Sequence, residues 1–317
     1  MTKFKTKHKT HGLIKTGAAA LITAALLTLA LLFTGCPNAA APKPEEPPAS
    51  TDKTYTAGGV SFTMKKIAAV KEKTVGHSDY SNNPPHKVSL SAYFIGETEV
   101  TQELWQAVMG DGFNNPSNFR DSLKNPVEQV NWYQAIAFCN KLSLACKLEP
   151  CYKVINVNFN TLSFDAIPTL KNVIWDMAEL DMSKNGFRLP TEAEWKWAAM
   201  GGKDYKWAGT DIESELKNYA WYNANSGNKT HEVKKKLANG YGLYDMSGNV
   251  WEWCWDWYSS TTPTGGQDPT GDASGSARVL RSGSLIVYAE IVARAHRRYN
   301  DPDYRNGSLG LRLACRP

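Results

Sequence analysis

The stretch from Arg278 to Pro317, RVLRSGSLIVYAEIVARAHRRYNDPDYRNGSLGLRLACRP, closes the chain and combines two kinds of pattern. RVLRSGS at its start and LGLRLAC at its end alternate apolar and polar side chains, which predicts two half-buried strands. The residues between them follow no single period and mix every side-chain class. We interpret the stretch as two fixed strands that hold a chemically arbitrary segment, an arrangement typical of a recognition surface.

Twelve residues in the middle of this stretch are candidate ligand contacts. Tyrosine gives a large contact area at a low cost in conformational entropy, which favours a binding role for the three tyrosines among them. Arg298 would add a fixed positive charge, and His296 a charge that can switch near neutral pH. Alternatively, the apolar members pack the core with Val292, and the polar members are ordinary loop residues. The candidates are Ile286, Val287, Tyr288, Glu290, Ile291, His296, Arg298, Tyr299, Asp301, Tyr304, Gly307 and Ser308.

The N-terminus has the organisation of a secretory signal. Five lysines precede an apolar run from Ala18 to Phe33, and small residues then lead to Cys36. As a helix this run would span roughly 24 Å, which is short of the ~30 Å hydrocarbon core of a bilayer. We therefore predict a signal peptide over residues 1–35. Its Thr-Gly-Cys ending resembles a bacterial lipobox and implies that Cys36 is acylated, the alternative being an ordinary signal peptide with an incidental cysteine.

The composition after the signal predicts a tether followed by a folded domain. Residues 36–54 are rich in Pro and Ala and should be disordered, so we expect a lipid anchor in a bacterial membrane, with the outer membrane and surface exposure favoured. Residues 55–317 are long enough for one large domain or two small ones, and we expect one, as a monomer. The formal net charge of +5 includes the five signal lysines, so the mature chain is near neutral. This argues against a nucleic-acid partner.

Local patterns predict two longer helices, a capped short helix and an aromatic strand. Residues 100–109 and 131–144 carry apolar side chains at helical spacing, and the second run places Cys139 towards the core. Thr191 followed by Glu194 predicts a capping box. In residues 251–257 tryptophan alternates with Glu, Cys and Asp, which predicts a strand with one aromatic face.

Three motifs carry a family resemblance. RLPTEAEW at Arg188–Trp195, GLYDMSGNVWEW at Gly242–Trp253 and LGLRLA at Leu309–Ala314 resemble those of the formylglycine-generating-enzyme (sulfatase-modifying factor) family. The resemblance runs from about Tyr55 to the C-terminus. It implies an α+β domain with a C-type-lectin-like fold, which has little regular secondary structure for its size.

The resemblance does not extend to the catalytic cysteines. Active members carry a copper-binding C-x4-C pair shortly after a Gly-Gly-Ser, and the corresponding positions here are Val287 and Val292. Valine has no thiol to bind Cu(I) or to act as a nucleophile, so we expect no oxidase activity, no required cofactor and no other catalytic role. Two alternatives stay open. One is an enzyme of unknown specificity, for which Ser284 with His296 is an imaginable pair, and the other is a purely structural lipoprotein.

The C-terminal stretch also resembles that of lectin-fold variable proteins of diversity-generating retroelements, in which Asn codons of a template are mutated at adenines. Their RxLRGGSW, PDxR and LGFRLA pattern reads here RVLRSGSL, PDYR and LGLRLA, with Ser282 and Leu285 departing from it. The resemblance implies that residues 278–313 are a variable region that binds an unknown protein or glycan ligand. Glu290 cannot be reached from an Asn codon by changing adenines alone, so it is a candidate fixed position.

The resemblance has two further implications. Asn249 and Glu252 match an element associated with calcium, so a structural calcium ion is possible there, the alternative being a turn and a buried polar bond. Residues 221–227 could also offer oxygen ligands to a hard cation. Cys139 with Cys315 corresponds to a family disulfide, and Cys146 with Cys151 could close a local loop, which would leave Cys254 free.

Overall fold

The computed structural model describes residues 51–110, 114–260 and 266–317. The chain divides into two units, Met1–Glu46 and Pro47–Pro317, and the described residues all lie in the second. The predicted signal peptide, the predicted acylation site Cys36 and most of the predicted tether fall outside the described residues. Within the described ranges no helix has the length and hydrophobicity needed to cross a bilayer.

The strands of the described residues form two four-stranded sheets and two two-stranded sheets. One sheet has the order β1-β2-β5-β12 and the other β10-β9-β8-β11, while β3 pairs with β4 and β6 with β7. All these pairings are antiparallel except that of β11 with β8, which is parallel. The strands of the described residues are β1 (Lys53–Ala57), β2 (Val60–Ile67), β3 (Val70–Val75), β4 (His86–Leu90), β5 (Tyr93–Gly96), β6 (Tyr152–Lys153), β7 (Glu179–Leu180), β8 (Trp251–Trp257), β9 (Arg278–Arg281), β10 (Arg298–Asn300), β11 (Leu309–Leu311) and β12 (Ala314–Cys315).

Polar residues cap the helices, and one of these caps, Thr191, is the one predicted from the sequence. Thr101 accepts a hydrogen bond from the backbone of Leu104 and starts the first helix two residues after the predicted Val100. Asn131 and Thr191 each open a helix with a complete capping box, which confirms the prediction for Thr191 and Glu194. The helices of the described residues are α1 (Gln102–Met109), α2 (Trp132–Ala145), α3 (Val173–Asp176) and α4 (Glu192–Met200), with short 3₁₀ turns at Phe164–Ala166 and Glu213–Asn218.

The core lies between the helices and the two larger sheets. Its largest cluster includes α2, with Cys139 fully buried as predicted, and two of the four β8 tryptophans, Trp251 and Trp253. A second cluster joins α4 to β3, β4 and β5. The fold is a low-helix α+β architecture, as expected.

The predicted strand at residues 251–257 is confirmed as β8, whereas the prediction that the flanks of the C-terminal stretch are half-buried is wrong. Glu252, Cys254 and Asp256 are buried on the face of β8 opposite the tryptophans, and all four residues of β9 are buried. Polar side chains are tolerated there because they are paired. Glu252 bonds to Arg312, and Asp256 accepts a hydrogen bond of 2.7 Å from the backbone of Glu192.

The two arginines of β9 show how a polar residue can belong to the core. The guanidinium of Arg278 lies 3.4 Å from the ring centroid of Trp257 and 3.8 Å from that of Trp132, and it donates to the Trp255 carbonyl at 2.6 Å. Arg281 lies 3.5 Å from a carboxylate oxygen of Glu192. Stacking and pairing replace the lost hydration, so alternation in the sequence does not mean exposure here.

Neither expected disulfide is present. The five cysteines of the described residues are free thiols. The Cys151 sulfur lies 3.2 Å from the Gly186 carbonyl, whereas the Cys146 sulfur lies 3.8 Å from the Thr56 carbonyl. The two thiols therefore contact different parts of the backbone instead of each other.

Candidate ligand-binding face

The part of the C-terminal stretch from residue 285 to residue 308, here called the C-terminal segment, exposes most of the predicted contact residues. Eleven of the twelve candidates are exposed or half-buried, and Ser308 alone is buried. Ile286 is 50% exposed and Tyr288 69%, so neither belongs to the core. Val292, in contrast, is fully buried, which confirms the packing alternative for that residue. Val287 and Ile291 are partly buried against the main core cluster.

Five of the candidates meet around one small cavity of about 60 Å³. Its walls include the buried framework side chains of Trp251, Leu280 and Leu309, which come from β8, β9 and β11. Asn300 and Asn306 complete the lining, and neither was among the candidates. The implied template has Asn codons at its variable positions. An asparagine in the segment can therefore be a variable position that kept the template residue, and this could have identified both Asn300 and Asn306 as candidates. The candidates at this cavity are Ile286, Val287, Arg298, Tyr304 and Ser308.

Other candidates lie in two separate neighbourhoods. His296 contacts Tyr80 ring to ring at 5.9 Å, and the hydroxyl of Tyr80 donates to the Glu290 carbonyl at 3.0 Å. Tyr299 stacks on Tyr258 with centroids 4.1 Å apart. Alternate residues of a strand point to opposite faces, so Tyr299 points away from the side of β10 that lines the cavity. No pattern in the sequence indicated that Tyr80, more than 200 residues away, contacts this part of the chain.

Donors from outside the segment hold its backbone. Each of these donors is a framework group, and each acceptor is a main-chain carbonyl, so the bonds do not depend on the exposed side chains of the segment. Arg281 donates to the carbonyls of Arg294 and, at 2.6 Å, His296. The others are Ser226 Oγ to Leu285 (2.6 Å), Asn223 N to Val287 (3.0 Å), Trp207 Nε1 to Ala289 (2.7 Å), Tyr80 Oη to Glu290 (3.0 Å) and Asn83 Nδ2 to Ala295 (2.7 Å).

Buried side chains of the segment pack into a small apolar cluster. Ala289, Val292 and Ala293 pack with Trp207 and neighbouring residues. A Cβ on Gly283, which has φ +77°, would lie 2.7 Å from a methyl of Val292, so this position requires glycine. The preceding Ser282 also has a positive φ, +84°, which is strained for a residue with a side chain. Its hydroxyl donates to the Gly248 carbonyl at 3.1 Å, which helps to hold that conformation.

His296 does not provide the switchable charge that its residue type suggested. Burial lowers its pKa to about 4, and the charges of Arg281 and Arg298 lower it in the same direction. The imidazole is therefore neutral at neutral pH. Its contribution to the surface is an uncharged aromatic ring beside Tyr80.

The two residues matched to a calcium element are engaged with protein groups. Both carboxylate oxygens of Glu252 accept from the Arg312 guanidinium, and one also accepts from Trp195 Nε1 at 2.6 Å. Asn249 accepts from the His231 backbone. The described residues hold no group of three or more His, Cys, Asp or Glu side chains arranged to bind a metal ion. Calcium at Asn249 and Glu252 stays a prediction, and a guanidinium bonded to Glu252 opposes a second cation there.

Comparison with known proteins identifies the class. Residues 39–317 match the sulfatase-modifying factor enzyme 1-like domain, and the chain belongs to this family, as its motifs indicated. Among solved structures it is similar to Treponema denticola variable protein 1, with 61% sequence identity, a TM-score of 0.81, and coverage of 84% of this chain and 99% of that one. Both the predicted fold and the predicted family are confirmed.

Curated relatives include proteins of different kinds. The chain is 39% identical over 202 residues to the chaperone protein LppX of Paenibacillus barcinonensis, which covers 57% of this chain and 67% of that protein. It is 38% identical over 162 residues to the formylglycine-generating enzyme of Streptomyces coelicolor, which covers 45% of this chain and 51% of the enzyme. The chain thus matches only about half the length of that enzyme, so family membership alone does not assign its activity.

Proposed function

We propose that the protein is a surface-displayed lipoprotein that binds a ligand through a diversified C-terminal segment and has no formylglycine-generating activity. One observation carries this proposal: framework donors fix the main chain of residues 285–296, while the side chains of Ile286, Tyr288 and Glu290 are exposed. Such a backbone can keep its shape when the exposed side chains change. The similarity to a solved structure named as a variable protein supports the same conclusion.

The residues at the expected copper positions support the absence of oxidase activity. Val287 and Val292 carry no thiol, and the side chain of Val292 is fully buried. Burial raises the pKa of the Cys139 and Cys254 thiols well above the usual value, so neither supplies a reactive thiolate. Conversion of a Cys-x-Pro-x-Arg peptide to formylglycine by the purified protein with copper and oxygen would contradict this part of the proposal.

The alternative catalytic pair gains no support from the geometry. The Ser284 hydroxyl is buried without a hydrogen-bond partner among the described residues. A serine nucleophile needs a base within hydrogen-bond reach, and no hydrogen bond joins Ser284 to His296 in the described part of the chain. A binding role for the segment therefore has the stronger physical basis.

The display part of the proposal rests on the sequence. Acylation of Cys36 and a Pro/Ala-rich stalk over residues 36–54 would hold the domain at the outer surface of a bacterial membrane as a monomer. The ligand would be a protein or a glycan. The near-neutral mature chain makes nucleic acid an unfavourable partner.

Sequencing the locus tests the proposal. We expect a near-identical, Asn-rich copy of the coding segment for residues 278–313 beside a reverse-transcriptase gene. Differences between the copies should fall at template adenines, and they should affect codons for exposed residues such as Tyr288 and Arg298. If no copy exists, the segment has a fixed sequence, and a structural lipoprotein or an undiversified binding protein becomes the better account.

A further inference from the structure

Arg298 lines the small cavity, and its positive charge is unpaired among the described residues. Its guanidinium forms no hydrogen bond or ion pair with any residue that the structure describes, and it lies 5.7 Å from the ring centroid of Trp251. Its neighbour Arg297, in contrast, is buried and bonded to both oxygens of Glu192. Five N–H donors in a planar fork are therefore available to a ligand at Arg298.

A second donor, the hydroxyl of Tyr304, belongs to a residue that lines the same cavity and is held by a short chain of hydrogen bonds. The Asn306 side-chain oxygen accepts from the backbone and the hydroxyl of Ser308, both at 3.0 Å. This fixes the amide so that its nitrogen donates to the Tyr304 hydroxyl at 3.0 Å. The oxygen of Tyr304 is thus used as an acceptor, and its own proton is free for a ligand.

The rest of the cavity lacks negative charge. Its lining contains one cation, Arg298, and no carboxylate among the described residues, with Trp251, Leu280 and Leu309 as apolar walls. The cavity has a volume of about 60 Å³. This is room for a small terminal group such as a carboxylate and its first methylene.

We propose that this cavity is an anion subsite that receives the carboxylate of an acidic side chain on a protein ligand. Arg298 would form charge-assisted hydrogen bonds to the carboxylate, and Tyr304 would add one more. The surrounding surface fits a macromolecule, because Ile286, which lines the cavity, and Tyr288, two residues along the chain, are large and exposed. The inference rests on the proposed function and specifies the ligand chemistry of this particular sequence.

The test is an NMR titration of the full chain at low salt with the α-amide of N-acetylglutamic acid, monitored at the backbone amides of Arg298, Asn300 and Ser308. Arg298→Gln should weaken binding about tenfold, because it removes a charge-assisted interaction, and Tyr304→Phe should weaken it by roughly threefold. Arg305→Gln is the matched control. Arg305 is also an exposed arginine but does not line the cavity, so its variant should bind like the unmodified protein.

Three results would overturn the inference. The neutral α-amide of N-acetylglutamine could bind equally well, Arg298→Gln could bind unchanged, or inorganic phosphate could bind more tightly than the carboxylate, which would indicate a phosphorylated ligand. These outcomes are separable from failure of the proposed function. If the locus contains a template copy but the carboxylate does not bind, only the proposed subsite is wrong. If the carboxylate binds but no template copy exists, only the proposed diversification is wrong.

Discussion

Replacing Glu252 by glutamine is expected to lower the free energy of unfolding by about 3–5 kcal/mol, the cost of removing one partner of a buried ion pair. Glu252 and Arg312 are both fully buried, and Arg312 donates to both oxygens of the carboxylate. Glutamine keeps the shape but not the charge. Both carboxylate oxygens of Glu252 accept N–H bonds, and one of them also accepts from Trp195 Nε1. In either orientation of the glutamine amide, its NH₂ group would therefore face an N–H donor and could not accept from it.

Neighbouring acids should offset part of this loss. Burial raises the pKa of Asp245 to about 6 and that of Glu99 well above its usual value, and the charge of Glu252 contributes to both shifts. Without that charge, both neighbours ionise more readily and partly neutralise Arg312. The effect should therefore fall towards the lower end of the range, a decrease in Tm of about 10 °C for a domain of this size.

Thermal unfolding measures this prediction, with Glu213→Gln as the matched control. Glu213 is exposed on a 3₁₀ turn, so its variant should stay within about 0.5 kcal/mol of the unmodified protein. The unmodified protein is also unfolded with and without EDTA. If EDTA lowers its Tm as much as the substitution does, then Glu252 acts through a bound cation and the account of a structural ion pair is wrong.

Replacing Tyr288, Tyr299 and Tyr304 together by alanine is expected to weaken ligand binding by about a hundredfold or more, since aromatic anchors dominate binding energy at interfaces. Their side chains are 69%, 51% and 40% exposed, so they contribute little to the core. Tyr299 stacks on Tyr258, and loss of that contact should cost only about 1 kcal/mol. Tm should therefore change by no more than a few degrees.

The binding measurement needs a defined ligand and a matched control. A peptide selected from a displayed random library on the immobilised full chain provides the probe. The control replaces Leu170, Val173 and Met177 by alanine, which are 77%, 66% and 61% exposed and lie far from the C-terminal segment in sequence. The control should leave affinity unchanged. A large loss of stability in the tyrosine variant would instead place those side chains in the core.

The sequence was sufficient for the elements that local rules determine. Asn131 and Thr191 cap helices through contacts within three residues, so the starts of these two helices could be predicted from the sequence to within one residue. Ile286 and Tyr288 were predicted as contact residues from the absence of any period around them, and both side chains are exposed. These features are determined by residues close together in the chain, and a sequence pattern shows such neighbours directly.

The burial of β9 and β8 could not be predicted in the same way. Arg278 and Glu252 are buried because distant partners neutralise or stack on them, and alternation does not reveal a partner such as Arg312 or Trp132. The framework of the candidate face was hidden for the same reason. Tyr80 donates to a carbonyl 210 residues further along the chain. Long-range pairing of this kind is determined by the tertiary fold and not by local propensity.

The central claim is that framework groups fix the C-terminal backbone while its exposed side chains are free to vary. Two libraries of the full chain, each randomised at a matched number of positions and sorted for protease resistance, test it most directly. One varies exposed residues of the segment (Ile286, Tyr288, Arg298, Asp301 and Tyr304) and the other varies buried residues of the same stretch (Leu280, Arg281, Leu285, Val292 and Ala293). We predict that most members of the first library stay folded and almost none of the second do. Equal losses in both libraries would contradict the account.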